Sequence, residues 1–274
     1  MSVASPPIEL PPYALTYPQL MRQAHERGVD HASLLRPRDA YEIAERLADG
    51  IYQPQGMPFL CHLVRTASIV LEQDQGIDVA VAAMLHAVYR LDRHDQSTRR
   101  ASRPAHRRYL SRRVGPEAEA IVWAFEEVRW TPREVACHRE RLATSPPAVR
   151  KALVIYIANA LENRLDMSMA FGAKLAKGTT GGGVWPGLPA LARELGVPRL
   201  ADQLIAVDDE TGRWSLPPEL VRQHLRAYEL PSHLLWRKTV PERLYARAGR
   251  EARHLGRGLR RPRRLLAALR RGAV

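Results

Sequence analysis

Apolar residues recur at helical spacing along most of this 274-residue chain, in segments bounded by proline and glycine. Pro58 opens one such segment, and Gly76 follows its end. The apolar residues between them that would share one helix face are Phe59, Leu63, Ala67 and Val70. No run of alternating β-branched residues competes with these helical patterns. The chain is therefore predicted to be all-α.

The same signals predict helices elsewhere in the chain. The segment 79–91 is apolar on nearly all sides, which is typical of a helix at the centre of a bundle. Gly115 and Pro116 mark the start of another helix. Further helices are predicted over 16–28, 37–50, 149–169, 188–207 and 217–228.

Changes in composition divide the chain into five parts. The central prediction is a helical domain followed by a helical extension, with glycine-rich or arginine-rich segments outside them. The predicted parts are a flexible lead-in over 1–15, a helical domain over 16–172, a glycine-rich loop over 173–186, a helical extension over 187–240 and an Arg-rich amphipathic tail over 241–274.

Two features of the composition bear on the compartment. No apolar run approaches the roughly 18 to 20 residues that cross a bilayer, and the N-terminus lacks the pattern of an export signal. Cys61 and Cys137 form neither a metal-type spacing nor a disulfide framework. We therefore expect a cytoplasmic protein.

The net charge of +13 is concentrated in two segments. Residues 92–113 contain eight arginines and two aspartates, and residues 241–274 contain eleven arginines and two glutamates. Four readings of the 241–274 tail stay open: a solvated tail, leucines docked on the body, an anionic membrane surface, or nucleic-acid phosphates.

Two segments of the chain carry a resemblance to a known superfamily. Residues 81–89, VAAMLHAVY, resemble the A-A-L-L-H-D-V segment of HD-superfamily hydrolases, and residues 56–67, GMPFLCHLVRTA, resemble the G-x-P-[YF]-x-x-H-P-x-x-V-A segment. The resemblance extends over 36–170 and is nearest to the hydrolase domains of RelA/SpoT homologues. It implies an HD-like helical bundle with a C-terminal helical extension, in which His62 and His86 belong to the site.

The chain departs from this superfamily at each acidic position. Ala87 stands where an aspartate follows the histidine, and Asn159 or Asn163 stands where the last aspartate ligand is expected. Arg90 and Leu91 replace an acidic pair. Since hard divalent cations depend on anionic oxygen ligands, we expect no metal and no cofactor. The sequence leaves open that a divalent transition-metal ion binds to His62 and His86, with either Glu162 or Asp166 as a substitute ligand.

The remaining candidates follow from position and chemistry. Without a metal, His62 and His86 are the candidate catalytic acid and base. Side chains near them that would bind an anionic group are Arg65, Tyr89, Arg90, Asn159 and Asn163. The residues themselves also leave open that both histidines are buried core residues without a reaction.

Two functions follow from this reading. The first is a protein that binds or converts a small anionic, nucleotide- or phosphate-like metabolite in a metal-depleted pocket centred on two histidines. If it is an enzyme, it is an atypical HD-family hydrolase or lyase. The second is a non-catalytic sensor or adaptor whose Arg-rich segments engage nucleic acid, a membrane surface or an acidic partner.

Overall fold

The all-α class is confirmed by the computed structural model of the chain, in which helices dominate. The structure describes residues 12–53, 56–91, 99–129, 131–165, 187–213 and 228–229. The α-helices are α1 (Tyr17–Glu26), α2 (Leu35–Ala48), α3 (Phe59–Glu72), α4 (Ile77–Met84), α5 (Val88–Leu91), α6 (Arg99–Val114), α7 (Pro116–Glu127), α8 (Pro132–Glu140), α9 (Pro147–Leu165), α10 (Leu188–Glu194) and α11 (Pro198–Arg213). A 3-10 turn spans Leu142–Thr144.

Helix α9 is central to the packing of this bundle. It contacts α3, α4 and α7 on the site side, and α10 and α11 of the extension on the other. Ile157 of α9, Met84 of α4 and Ile121 of α7 are among the side chains with no exposed surface. Burying each such side chain contributes about 1.5–3 kcal/mol. This central position explains why the consecutive residues Ala152 to Ala158 of α9 are all buried.

Several predicted helix boundaries are confirmed. Thr16 occupies the cap before α1, where its backbone N–H donates to the side chain of Gln19 at 3.1 Å. Gly76 and Gly115 precede α4 and α7 with φ of 80° and 95°, a conformation that a glycine adopts without strain. Pro116 then supplies the first residue of α7, as predicted.

The prediction of one continuous helix over 79–91 is wrong. Helix α4 ends at Met84 and α5 begins at Val88, and a turn over 85–87 separates them. The His86 side chain explains part of this break, because its Nδ1 atom lies 2.6 Å from the Ala83 carbonyl oxygen. A side chain bonded to the backbone in this way competes with the regular helical hydrogen bond.

The structure describes part of the predicted extension over 187–240 and part of the predicted lead-in over 1–15. The predicted helix over 188–207 is two helices, α10 and α11. Residues 217–227 lie outside the described residues, but Tyr228 is in a strand rather than a helix: β1 (Ile51–Tyr52) pairs antiparallel with β2 (Tyr228–Glu229). At the other end, Ala14 is buried and its N–H donates to Ser68 Oγ at 2.9 Å. The 173–186 loop and the 241–274 tail lie outside the described residues.

Candidate functional site

His62 and His86 form a direct contact inside the bundle. His62 lies on α3 and His86 lies in the turn between α4 and α5. Their Nε2 atoms are 3.4 Å apart, and the rings meet edge to face with centroids 5.3 Å apart. The two residues are 3% and 4% exposed. The structure therefore brings together the two histidines that the sequence singled out.

Each histidine has its other ring nitrogen occupied. Nδ1 of His86 faces the Ala83 carbonyl at 2.6 Å, and a carbonyl oxygen can only accept, so this nitrogen carries a proton and donates it. Nδ1 of His62 is hydrogen-bonded to the Glu162 carboxylate of α9. Both rings are thus fixed in orientation with their Nε2 atoms directed at one another.

Glu162 and Arg65 form the base of this network. Glu162 is completely buried, and its Oε1 accepts from Arg65 Nη2 at 2.8 Å and from Arg65 Nε at 3.1 Å. Sequence reasoning named Glu162 as a substitute metal ligand, but its carboxylate faces Nδ1 of His62 rather than Nε2. Arg65 was predicted to bind an anionic ligand, and its guanidinium is engaged with this internal carboxylate.

Hydrogen-bond geometry assigns the proton between the two rings. Because His86 carries its proton on Nδ1, its Nε2 presents a lone pair to His62. Burial, followed by the positive charge of His62, lowers the pKa of His86 to about 3, and Arg90 lowers it further while the Ala83 carbonyl opposes the shift. His86 is therefore neutral near pH 7, and its Nε2 can accept a hydrogen bond from an N–H on Nε2 of His62.

The two sides of the pair are closed by aromatic rings. Phe59 of α3 packs at 5.1 Å from the His62 ring, and Phe125 of α7 packs at 5.0 Å from the His86 ring. The Arg90 guanidinium lies 5.5 Å from the Phe125 centroid and 3.4 Å from Glu126. Arg90, with a side chain 48% exposed, is therefore one aromatic ring away from His86.

Tyr89 belongs to a neighbouring cluster that sequence reasoning did not detect. Its hydroxyl donates to Glu119 at 2.8 Å, and burial and Glu119 together raise the pKa of Tyr89. Arg107 donates to the same carboxylate at 2.6 Å and lies 4.5 Å from the Trp123 ring centroid. These contacts join α6 to α7. The signal that the sequence offered was Glu119 four residues before Trp123, within a segment of otherwise apolar residues.

The two asparagines lie along α9. Both are half-buried, and Asn163 Nδ2 donates to the Asn159 backbone carbonyl at 2.8 Å. This bond holds the Asn163 amide against its own helix. Asp166, the other carboxylate considered for a metal, lies outside the described residues.

The donor set fits only part of the metal site that the HD resemblance implies. Among the described residues, no group of three His, Cys, Asp or Glu side chains is arranged to hold a metal ion. The 3.4 Å separation of the Nε2 atoms does match two ligands of a tetrahedral ion, since zinc–nitrogen bonds of about 2.0–2.1 Å give a ligand separation of roughly 3.4 Å. His62 and His86 could supply those two ligands.

The chain was compared with known proteins. A family model described as a domain of unknown function (DUF6817) matches residues 43–129, less than half of the chain. The matched residues include His62, Arg65, His86 and Arg90 but end before Glu162. A comparison with curated proteins found no match. Within the described part of the chain, no helix combines the length and apolar character needed to cross a membrane.

Proposed function

We propose that this chain is an HD-like protein that binds a small, phosphate-like anionic metabolite at the His62–His86 pair. The observation that supports the proposal is the 3.4 Å contact between two Nε2 atoms whose Nδ1 atoms are both engaged. Two facing lone pairs repel, and in this proposal a proton between them removes the repulsion. That proton is a positive charge at the centre of the candidate site.

Among the described residues, one carboxylate, that of Glu162, contacts the histidine pair. Glu162 supplies one negative charge, which is shared between the Arg65 guanidinium and the His62 ring. Arg90, which is paired with Glu126 at 3.4 Å, lies against the Phe125 ring that contacts His86. A buried positive charge attracts an anion, and a phosphate oxygen that enters between the two rings would accept the hydrogen bond that the Nε2 of the other histidine otherwise accepts. A metal-free site of this kind replaces a cationic metal ion by a shared proton.

Conversion of the bound metabolite is the second part of the proposal. In a hydrolysis, the bond from phosphorus to the leaving oxygen breaks as that oxygen takes the shared proton, and the oxygen of a water molecule bonds to the phosphorus. The neutral histidine pair then accepts the proton that this water releases. This would make the protein a hydrolase or lyase without the metal chemistry of the HD superfamily. Because His62 and His86 are nearly inaccessible, the surrounding side chains must move to admit a ligand. We place this activity in the cytoplasm, in keeping with the free thiols of Cys61 and Cys137.

Ligand binding tests the proposal. Isothermal titration calorimetry of the full chain with inorganic phosphate, pyrophosphate and a panel of nucleotides should reveal binding of at least one of them. His62→Asn should weaken that binding by tenfold or more, because it removes the shared proton. His25→Asn, at an exposed histidine of α1, is the matched control and should leave binding unchanged. Absence of binding, or equal binding by the His62 variant, would contradict the proposal.

Elemental analysis separates the proton from a metal ion. The purified protein is expected to contain no stoichiometric transition metal. A stoichiometric ion that is lost in His86→Ala would show that a metal occupies the Nε2–Nε2 contact, and the metal-free site would then be wrong.

The adaptor function rests on a different observation, the arginine-rich helix α6.

A further inference from the structure

Helix α6 has a strongly basic composition and a clear orientation. It contains seven arginines and one histidine and has no Asp or Glu. Leu110 and Val114 point into the core, where they are 3% and 0% exposed. The side of the helix opposite these two residues carries Arg108, Tyr109 and Arg112, which are all exposed. We call these three residues the outer face of α6.

The arginines on the flanks of α6 are neutralised, but those of the outer face are not. Arg107 is paired with Glu119 at 2.6 Å, and Arg113 lies 3.2 Å from Glu42. Arg108 and Arg112 make no hydrogen bond or ion pair with another described residue. Four residues apart on a helix, their Cβ atoms are about 6 Å from each other, and like charges at this spacing are destabilising. An external anion would remove that cost.

The chemistry of the outer face selects the kind of anion. Guanidinium groups bind phosphate oxygens in bidentate geometry, and two on one helix face suit a chain of phosphates. Tyr109 lies between them in sequence and is 49% exposed, which leaves its ring available to stack on an unpaired base. A membrane-binding helix needs an apolar side to insert, whereas Leu110 and Val114 are already buried in the core. An anionic bilayer is therefore a poor fit.

We infer that the outer face of α6 binds single-stranded nucleic acid, with Arg108 and Arg112 on the phosphate backbone and Tyr109 stacked on a base. The inference does not depend on the His62–His86 site, which lies in the interior of the bundle. It assigns a role to two of the arginines of the 92–113 segment, Arg108 and Arg112.

Fluorescence anisotropy with a labelled 20-nucleotide poly(U) RNA, and with a duplex of the same length, tests this inference on the full chain. Arg108→Glu combined with Arg112→Glu should weaken RNA binding by tenfold or more. The slope of log K against log salt should become shallower by about 1.4, as expected when two phosphate contacts on a single strand are lost. Tyr109→Ala should weaken binding several-fold and leave the salt slope unchanged.

Arg133→Glu combined with Arg141→Glu is the matched control, since both arginines are exposed elsewhere on the molecule. It carries the same change of charge and should alter RNA binding less than twofold. Equal losses in the two double variants would show general charge attraction and overturn the inference. Tighter binding to the duplex than to the single strand would also overturn it, as would no RNA binding at 50 mM salt. Circular dichroism of each variant verifies that the helical fold is retained.

Discussion

The Glu162 carboxylate accepts hydrogen bonds from His62 and Arg65, and it has no exposed surface of its own. Removing water from a carboxylate is costly, so its stability depends on both partners. The stability of Arg65 likewise depends on its partner, since its guanidinium is buried against the Glu162 carboxylate. The three side chains therefore form one unit, and a change in one of them leaves another charge without its partner.

Glu162→Gln should destabilise the fold by about 3 kcal/mol, because the buried Arg65 guanidinium then loses the carboxylate that accepts two of its hydrogen bonds. Urea denaturation at pH 7.5 measures the change in the free energy of unfolding. Glu117→Gln is the matched control, as Glu117 pairs with Lys151 on the surface and should matter by less than about 1 kcal/mol. Adding Arg65→Met to Glu162→Gln should recover part of the loss. Similar small losses for both glutamates would contradict the buried network.

His86 predicts a pH dependence of stability. Its pKa is about 3 in the folded chain and 6.5 in an unfolded one, so the unfolded chain binds the extra proton between these values. Stability is therefore complete above pH 6.5 and falls as the pH decreases, by about 1.4 kcal/mol per pH unit from this residue. His62, Arg90 and the Ala83 carbonyl are the charged or polar groups that face it.

The measurement is the free energy of unfolding between pH 5 and 7 for the wild type and His86→Asn. Asparagine retains a donor for the Ala83 carbonyl but does not titrate. The variant should show a shallower dependence on pH, by about one proton. Parallel curves for the two proteins would show that His86 is protonated in the folded state as readily as in the unfolded one.

At the residue scale, the sequence predicted the two histidines, and it named Glu162 and Arg65 but in other roles than the ones they have. His62 and His86 were identifiable from local motifs, since each motif surrounds its histidine in a single segment. Glu162 is distant from both in the chain, and nothing in the periodicity of α9 distinguishes a carboxylate that faces Nδ1 from one that faces Nε2. The choice of nitrogen depends on ring orientation, which the Ala83 carbonyl and Glu162 determine in three dimensions.

At the scale of elements, α6 shows where hydrophobic periodicity fails. Helices with a broad apolar face, such as α3 and α9, were predicted from spacing alone. Helix α6 was not predicted because it is highly polar and contains Pro104. Leu110 and Val114 anchor it, and hydrogen bonds from Arg107 to Glu119 join it to α7. Such a helix is formed by tertiary contacts rather than by its own pattern.

Glu119→Gln tests how far these contacts hold α6. The substitution weakens the bonds from Arg107 and Tyr89 to a buried carboxylate, and we expect a loss of about 1–3 kcal/mol. Hydrogen–deuterium exchange should show faster exchange for the backbone amides of α6 than in the wild type. Glu127→Gln, at the exposed end of α7, is the control. Unchanged protection of α6 in the Glu119 variant would show that its apolar anchors suffice.

At the scale of the whole molecule, charge is separated from the core network. Arg108 and Arg112 of α6 are exposed, whereas Arg65 is enclosed with Glu162. Composition predicted the excess of positive charge but not which arginines are neutralised, because that depends on helices that are distant in sequence. Arg113 and Glu42 meet only after α2 and α6 have packed.

The pairing of β1 with β2 has a consequence for the order of folding. Each strand has two residues, yet their pairing joins Tyr52 to Tyr228, and the loop between these residues contains α3 to α11, while α1 and α2 precede it. In the unfolded chain, closing so long a loop costs more free energy in entropy than the few hydrogen bonds of so short a ladder contribute. The pairing can form only after the helices have brought its two ends together. The Tyr52–Tyr228 pairing is thus expected to form late in folding. Protection of its amides from exchange would report that the helices between the two strands have already packed.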